Sequence, residues 1–167
     1  MDVELRKLSV DDGLDIYEML QELPQAENGF TNACFGKSFD EYKKWLKWSD
    51  NASMGIGLEE WMVPQNIYWL YVDGVPAGMG KLRHSLTDAL REEGGHCGYL
   101  IRASYRGKGL AKELLELMLD EAKAIGIDKL LITAYNENTA SIKVALACGG
   151  ELEKVNDRNH FVWIDLM

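Results

Sequence analysis

The stretch Gly98–Leu115, GYLIRASYRGKGLAKELL, decides how the chain is read, because it joins a strand pattern to a helix pattern through a turn carrying only glycine and cations. From its second half onward, apolar residues stand at 110, 111, 114, 115, 118 and 122, the spacing of one buried helix face, and Gly126 stands where a helix ends. A helix starting near Gly109 exposes unpaired N–H groups and a partial positive charge. Arg106, Lys108 and Lys112 are therefore misplaced by roughly 0.3–1 kcal/mol each unless a negative group meets them. Together with Arg102 they form a local cluster without acids, in a chain whose net charge is −9. A small polyanion is the simplest offset.

Outward from this loop the rest of the chain falls into short elements. Val3 and Leu5 alternate with Glu4 and Arg6 as in a half-buried first strand. Ser9 with Asp12, and Ser38 with Glu41, are capping pairs that predict helices over 10–22 and 39–49. The aromatic spacing Phe39, Tyr42, Trp45 in the second helix is that of a core face. NIYWLYVDGVPAGMGKLRH (66–84) reads as two strands turning at Asp73-Gly74, a dipeptide that accepts positive φ. A polar insertion at 85–94 precedes the strand GGHCGYLI. After the helix, DKLLITAY is an almost continuous apolar strand, Asn138 caps a short helix to about Cys148, and a terminal hairpin turns near Asn156 to Asn159. The expected class is α+β, one mixed central sheet with helices on both faces, in a single domain over 1–167.

Composition narrows the function classes. With 47% apolar and 27% charged residues in 167, the chain has the makeup of a soluble cored domain. The acidic balance argues against a nucleic-acid partner, whose phosphates need clustered Lys and Arg. No apolar segment is long enough for a membrane, and the charged first residues, Asp2, Glu4, Arg6 and Lys7, show no secretory signal. Three scattered cysteines, Cys34, Cys97 and Cys148, form no metal or redox pair, so the expected place is the reducing cytoplasm and no metal is expected. Asn51-Ala52-Ser53 matches a glycosylation pattern without the secretory context that would use it.

Two common phosphate loops fail here. Gly107-Lys108 lacks the four-residue cradle and the hydroxyl of GxxxxGK[ST], and after Gly107 and Gly109 the third position of GxGxxG is Lys112. What remains is strand, Arg106-x-x-Gly109-x-Ala111, helix, in which the glycines let a diphosphate approach freed N–H groups. In this the sequence resembles the GNAT N-acetyltransferase family and its [RQ]-x-x-G-x-[GA] motif. LLITAYNENTASIKVALACGG (130–150) resembles the strand and helix that follow it in the family.

That resemblance implies acetyl-CoA as acetyl donor and no metal. The backbone of Leu100, Ile101 and Arg102 would pair with the pantetheine arm. Arg106, Gly107, Lys108, Gly109, Leu110 and Ala111 would hold the diphosphate with help from Lys112, and Asn138 would contact the cofactor near its pantetheine portion. The acceptor, a small-molecule or peptide amine, must lose a proton held with a pKa of about 10.4, a cost of roughly 4–5 kcal/mol at neutral pH. Candidates near the reaction centre are His96, as base, and Tyr99, with Glu92 or Glu93 just upstream, and the departing thiolate is served by water, Tyr99 or unassisted departure. Glu27, between the first two helices, is a candidate for orienting a cationic acceptor. The family's usual tyrosine seven residues after the asparagine is replaced by Ala145, which leaves open a catalytically weak acyl-CoA sensor. Cys148, on a similar face beside Gly149-Gly150, reads as packing. The aromatic and acidic early helices imply an amine with apolar surface. The terminal hairpin with Phe161, Trp163 and Ile164 can pair across a dimer or finish the sheet, and the family resemblance favours a homodimer.

Overall fold

In the computed structural model, which describes residues 1–167, the Asp73-Gly74 turn has φ of 50° and 80° and joins β4 (Gln65–Val72) to β5 (Val75–Arg83). β1 (Val3–Lys7) pairs with β4, and β6 (Cys97–Ile101) with the far edge of β5, giving a sheet of order β1-β4-β5-β6. A second sheet has order β7-β9-β8, from β7 (Lys129–Tyr135), β8 (Gly150–Val155) and β9 (Asn159–Asp165).

β4 is apolar on both sides because it is covered on both sides. Ile67, Trp69 and Tyr71 join one core with α1 (Leu14–Glu22) and α2 (Phe39–Ser53). Tyr68, Leu70 and Val72 join another with α4 (Leu110–Ala124) and Ala145 of α5 (Thr139–Ala147). At Gly80 a Cβ would collide with the thioether of Met118, so the missing side chain leaves room for that group of α4 against the sheet. The class is therefore α+β with helices on both faces. No helix is long and apolar enough to cross a membrane.

Local chemistry sets several boundaries. Ser38 and Glu41 complete both hydrogen bonds of a capping box, and Asn138 Oδ1 accepts from Ser141 N–H at 3.4 Å. Ser9 and Asp12 form a turn instead of a helix start. Ser9 N–H donates to Asp12 Oδ2 at 2.8 Å, and the same oxygen accepts from Trp69 Nε1 at 2.8 Å, so α1 begins only after Gly13. α2 runs to Ser53, beyond the expected 49, and gives way before Gly55 at φ 78°. The insertion at 85–94 contains a short helix, α3 (Asp88–Glu92), capped by Thr87. A further unexpected hairpin, β2 (Ala26–Glu27) with β3 (Phe30–Thr31), turns at Asn28-Gly29, whose turn-forming sequence was available to be read.

The expected single mixed sheet is divided. Every ladder is antiparallel, and none joins β6 to β7. The two sheets touch beside the start of β6, where His96 N–H donates to Leu131 O at 2.9 Å and Leu131 N–H donates to His96 Nδ1 at 2.8 Å. Beyond that contact the strands part.

Candidate active site

The parting of β6 and β7 leaves a cleft of about 500 Å³. One wall is β6 from Cys97 to Ile101, the other β7 from Ile132 to Tyr135, and the glycine loop and the first turn of α5 close one end. Each strand is paired on one edge only, so backbone N–H and C=O groups on the facing edges are open to a ligand that itself carries amides. The β2–β3 hairpin and β5 complete the lining, with Glu27 and Phe30 from the hairpin and Lys81 and Arg83 from β5.

The glycine loop has the geometry its sequence implies. After a 3₁₀ turn at Ala103–Tyr105, Gly107 and Gly109 take φ of 77° and 76°, and a Cβ at either would meet nothing within 4 Å. Gly109 is the N-cap of α4 and offers no side-chain cap, so the first N–H groups of a helix of 15 residues face open space. This is a cradle suited to a diphosphate.

Three of the four cations around it have acid partners. Arg106 Nη2 donates to Glu27 Oε1 and Oε2 at 3.2 and 3.1 Å, while its Nε donates to Ile101 O at 3.0 Å. Lys112 pairs with Glu116 at 3.1 Å, one helical turn on. Arg102 turns away from the cleft to pair with Glu22 and to donate to Pro76 O. Lys108, outside the cleft lining, stands over the Tyr105 ring at 5.6 Å. The expectation of an acid-free cluster is corrected: the partners come from the α1–α2 connection, from α1 itself and from the next turn of α4, none of which is adjacent in sequence to the loop.

His96 is 5% exposed and does not line the cleft. Burial, with Arg91 and Arg83 nearby, pushes its pKa down to about 4, and Nδ1 is already engaged by Leu131. A ring so placed joins the sheets and stands outside the cleft lining, an arrangement that speaks against its expected role as base. The folded state holds His96 neutral, whereas the unfolded chain protonates near 6.5, so the unfolded state binds more protons between about pH 6.5 and 4. Stability is thus lost as pH falls through that window, by roughly 3 kcal/mol when complete. The urea midpoint of the wild type should fall between pH 7 and 4 more steeply than that of His96→Asn; parallel curves would refute this.

Tyr99 lines the cleft with its hydroxyl near Ser141 on α5, and burial pushes its pKa up while Ser141 partly opposes this. Leu100, Ile101, Leu110, Ala111 and Asn138 also line the cleft. Ala145 is fully buried in the α4 core, so that helix position offers the cleft nothing. Glu93 lines the cleft but pairs with Arg158 at 2.7 Å, and Glu92 lies outside it. Cys34, Cys97 and Cys148 are free, and burial raises the pKa of each thiol. Lys81, Arg83 and Ser141 were missed in the sequence. A lysine and an arginine two apart in the apolar run GMGKLRH (78–84) were the available sign.

The match of residues 2–151 to the acetyltransferase (GNAT) domain model settles the family. The chain belongs to the GNAT acetyltransferases. These are acyl-transfer enzymes, and solved GNAT structures share the fold. An N-acetyltransferase from Staphylococcus aureus Mu50 superposes with a TM-score of 0.67 at 18% identity, covering 100% of both chains. A chimeric spermidine N-acetyltransferase, SpeG, from Vibrio cholerae and hSSAT gives 0.64 at 19%, over 98% of this chain and 95% of that one. The Campylobacter jejuni N-acetyltransferase PseH in complex with acetyl coenzyme A gives 0.64 at 9%, over 98% of each. No curated protein sequence matches the chain. In this GNAT domain the family match ends at 151, and β9 then inserts between β7 and β8 to complete the second cleft wall.

Proposed function

We propose that residues 1–167 form one N-acetyltransferase domain that moves an acetyl group from acetyl-CoA to a primary amine by direct attack. The observation that carries this is the open cleft between two half-paired strands, ending at an uncapped helix start with two positive-φ glycines. Acetyl-CoA, when bound, supplies a thioester carbonyl open to nucleophiles. The free edge of β6 at Leu100 and Ile101 would pair with its amides. Gly107, Gly109, Leu110 and Ala111 would meet the diphosphate with backbone N–H groups, Arg106 and Lys112 would add charge, and Asn138 would stand by the pantetheine arm.

Arg102 and Lys108 enter this reading through their backbones, since neither side chain reaches the cleft. Glu27 acts here by holding Arg106 across the mouth of the cleft, and not as a free acid for a cationic acceptor. The acceptor's proton passes to water in the open cleft, and the Tyr99 hydroxyl protonates the departing thiolate in place of the helix tyrosine. We place the reaction in the cytoplasm, with no nucleic acid or membrane partner and with a homodimer as the assembly.

The acyl-CoA sensor reading draws on Ala145 and differs in one measurable respect. Calorimetric titration of acetyl-CoA, dephospho-CoA and pantetheine, combined with thiol release in the presence of amines, separates the cases. Binding that requires the diphosphate, together with amine-dependent thiol release, supports the transferase; binding without release supports the sensor; no binding removes both. Tyr99→Phe should lower kcat by about 10²-fold with acetyl-CoA affinity unchanged. An unaltered kcat would take the acid role from Tyr99.

A further inference from the structure

Lys81 stands alone in charge terms. Both carboxylates that line the cleft are already engaged, Glu27 by Arg106 and Glu93 by Arg158. Arg83, the other cation from β5, donates to Gly94 O and Gly95 O at 3.3 and 3.2 Å. The Lys81 ammonium has neither a carboxylate within ion-pair distance nor a hydrogen-bond acceptor, and its nearest aromatic face, Phe30, is 5.1 Å away. Burial pushes its pKa down to about 8, with Arg83 adding repulsion. A half-buried, unpaired ammonium is costly and is relieved by an anion.

Lys81 also lies at a junction. A second cavity of about 180 Å³ opens beside the cleft, lined by Trp45, Trp48, Met62, Ile67 and Met79, and Thr31 and Lys81 line both. Its volume is comparable to the apolar cavity of about 150 Å³ that takes a benzene ring. A ligand spanning the two spaces therefore presents an anion to Lys81, an apolar group to the tryptophans and its remaining end to the cleft.

We infer that the acceptor is an α-amino acid with an apolar side chain, its carboxylate held by Lys81 and its side chain seated among Trp45, Trp48, Met62, Ile67 and Met79. This rests on the transferase reading and assigns its acceptor end. The neutral α-amine forms the new N–C bond to the acetyl carbonyl as the C–S bond breaks. One amine proton is lost and the departing sulfur gains one, so an N-acetyl amino acid and free CoA are the products. A polyamine does not fit, since the carboxylates it would seek are occupied and Lys81 repels it.

The test begins with acetyl-CoA titration, then measures thiol release with L-phenylalanine, L-leucine, L-alanine, 2-phenylethylamine and spermidine. L-Phenylalanine and L-leucine should exceed both L-alanine and 2-phenylethylamine by at least about tenfold in kcat/KM. In Lys81→Met the ratio of L-phenylalanine to 2-phenylethylamine should collapse toward one, through KM. Calorimetry of L-phenylalanine into CoA-saturated protein should give a heat that the variant loses. The inference is overturned if 2-phenylethylamine or spermidine serves as well as L-phenylalanine in the wild type, a comparison that needs no variant. It is also overturned if acetyl-CoA binds but no amino acid is bound or acetylated, an outcome that leaves the transferase standing. Absence of acetyl-CoA binding removes both.

Discussion

Gly109→Val is expected to weaken acetyl-CoA binding by at least about 100-fold, equivalent to about 2.7 kcal/mol, while the protein stays folded. Two effects act together. At φ 76° an L-residue pays roughly 1–2 kcal/mol for the left-handed conformation, and a β-branched one is the least able to adopt it. The loop can escape that strain only by changing the direction of the N–H groups that start α4. If it does not move, the new side chain fills the open space in front of those groups. Gly57→Val is the control: its φ is 78°, nothing lies within 4 Å of the added Cβ, and it is outside the cleft lining. Both variants should lose similar stability in urea, but only Gly109→Val should lose the ligand by calorimetry. Equal acetyl-CoA affinity in the two would show that the glycine loop does not hold the diphosphate.

Trp69→Ala should carry the largest stability loss. The side chain is 0% exposed, sits at the centre of the core between β4 and the first two helices, and packs 6.3 Å from the Trp45 ring. Truncating a buried tryptophan costs about 3–5 kcal/mol, a large part of the 5–15 kcal/mol typical of a domain. It also removes the Nε1 donor to Asp12, which holds the turn before α1. For a chain of this size the melting temperature should fall by about 6–20 °C. Trp69→Phe keeps most of the volume and should fall by less. A loss under about 3 °C for the alanine variant would mean that this core collapses around the gap more fully than its packing implies.

The sequence was informative wherever the cause of structure is local. Ser38 with Glu41, Asn138, and Asp73-Gly74 act within four residues of themselves, and each appears where its chemistry puts it. The glycine loop belongs to the same class, because positive φ and an uncapped helix start are properties of a few consecutive residues. Ser9 with Asp12 failed for a distant reason: Trp69, 57 positions on, shares the Asp12 carboxylate.

The amino-acid order by itself determined the α+β class, the Asp73-Gly74 hairpin and the glycine loop ahead of α4, since periodicity and turn chemistry are short-range. Only the tertiary structure decided where the charges and the cleft lie. Arg106 meets Glu27 across 79 positions, and of the cluster that looks acid-free along the chain all but Lys108 are ion-paired in space. His96 looked like a base in the chain and is a buried joint, because the sheets come together on its ring and open beyond it. Lys81, one cation in an apolar strand, acquires meaning only when Glu27 and Glu93 are taken by other partners and two cavities meet beside it. Pairing and desolvation depend on what folding brings near, and no window of sequence contains that.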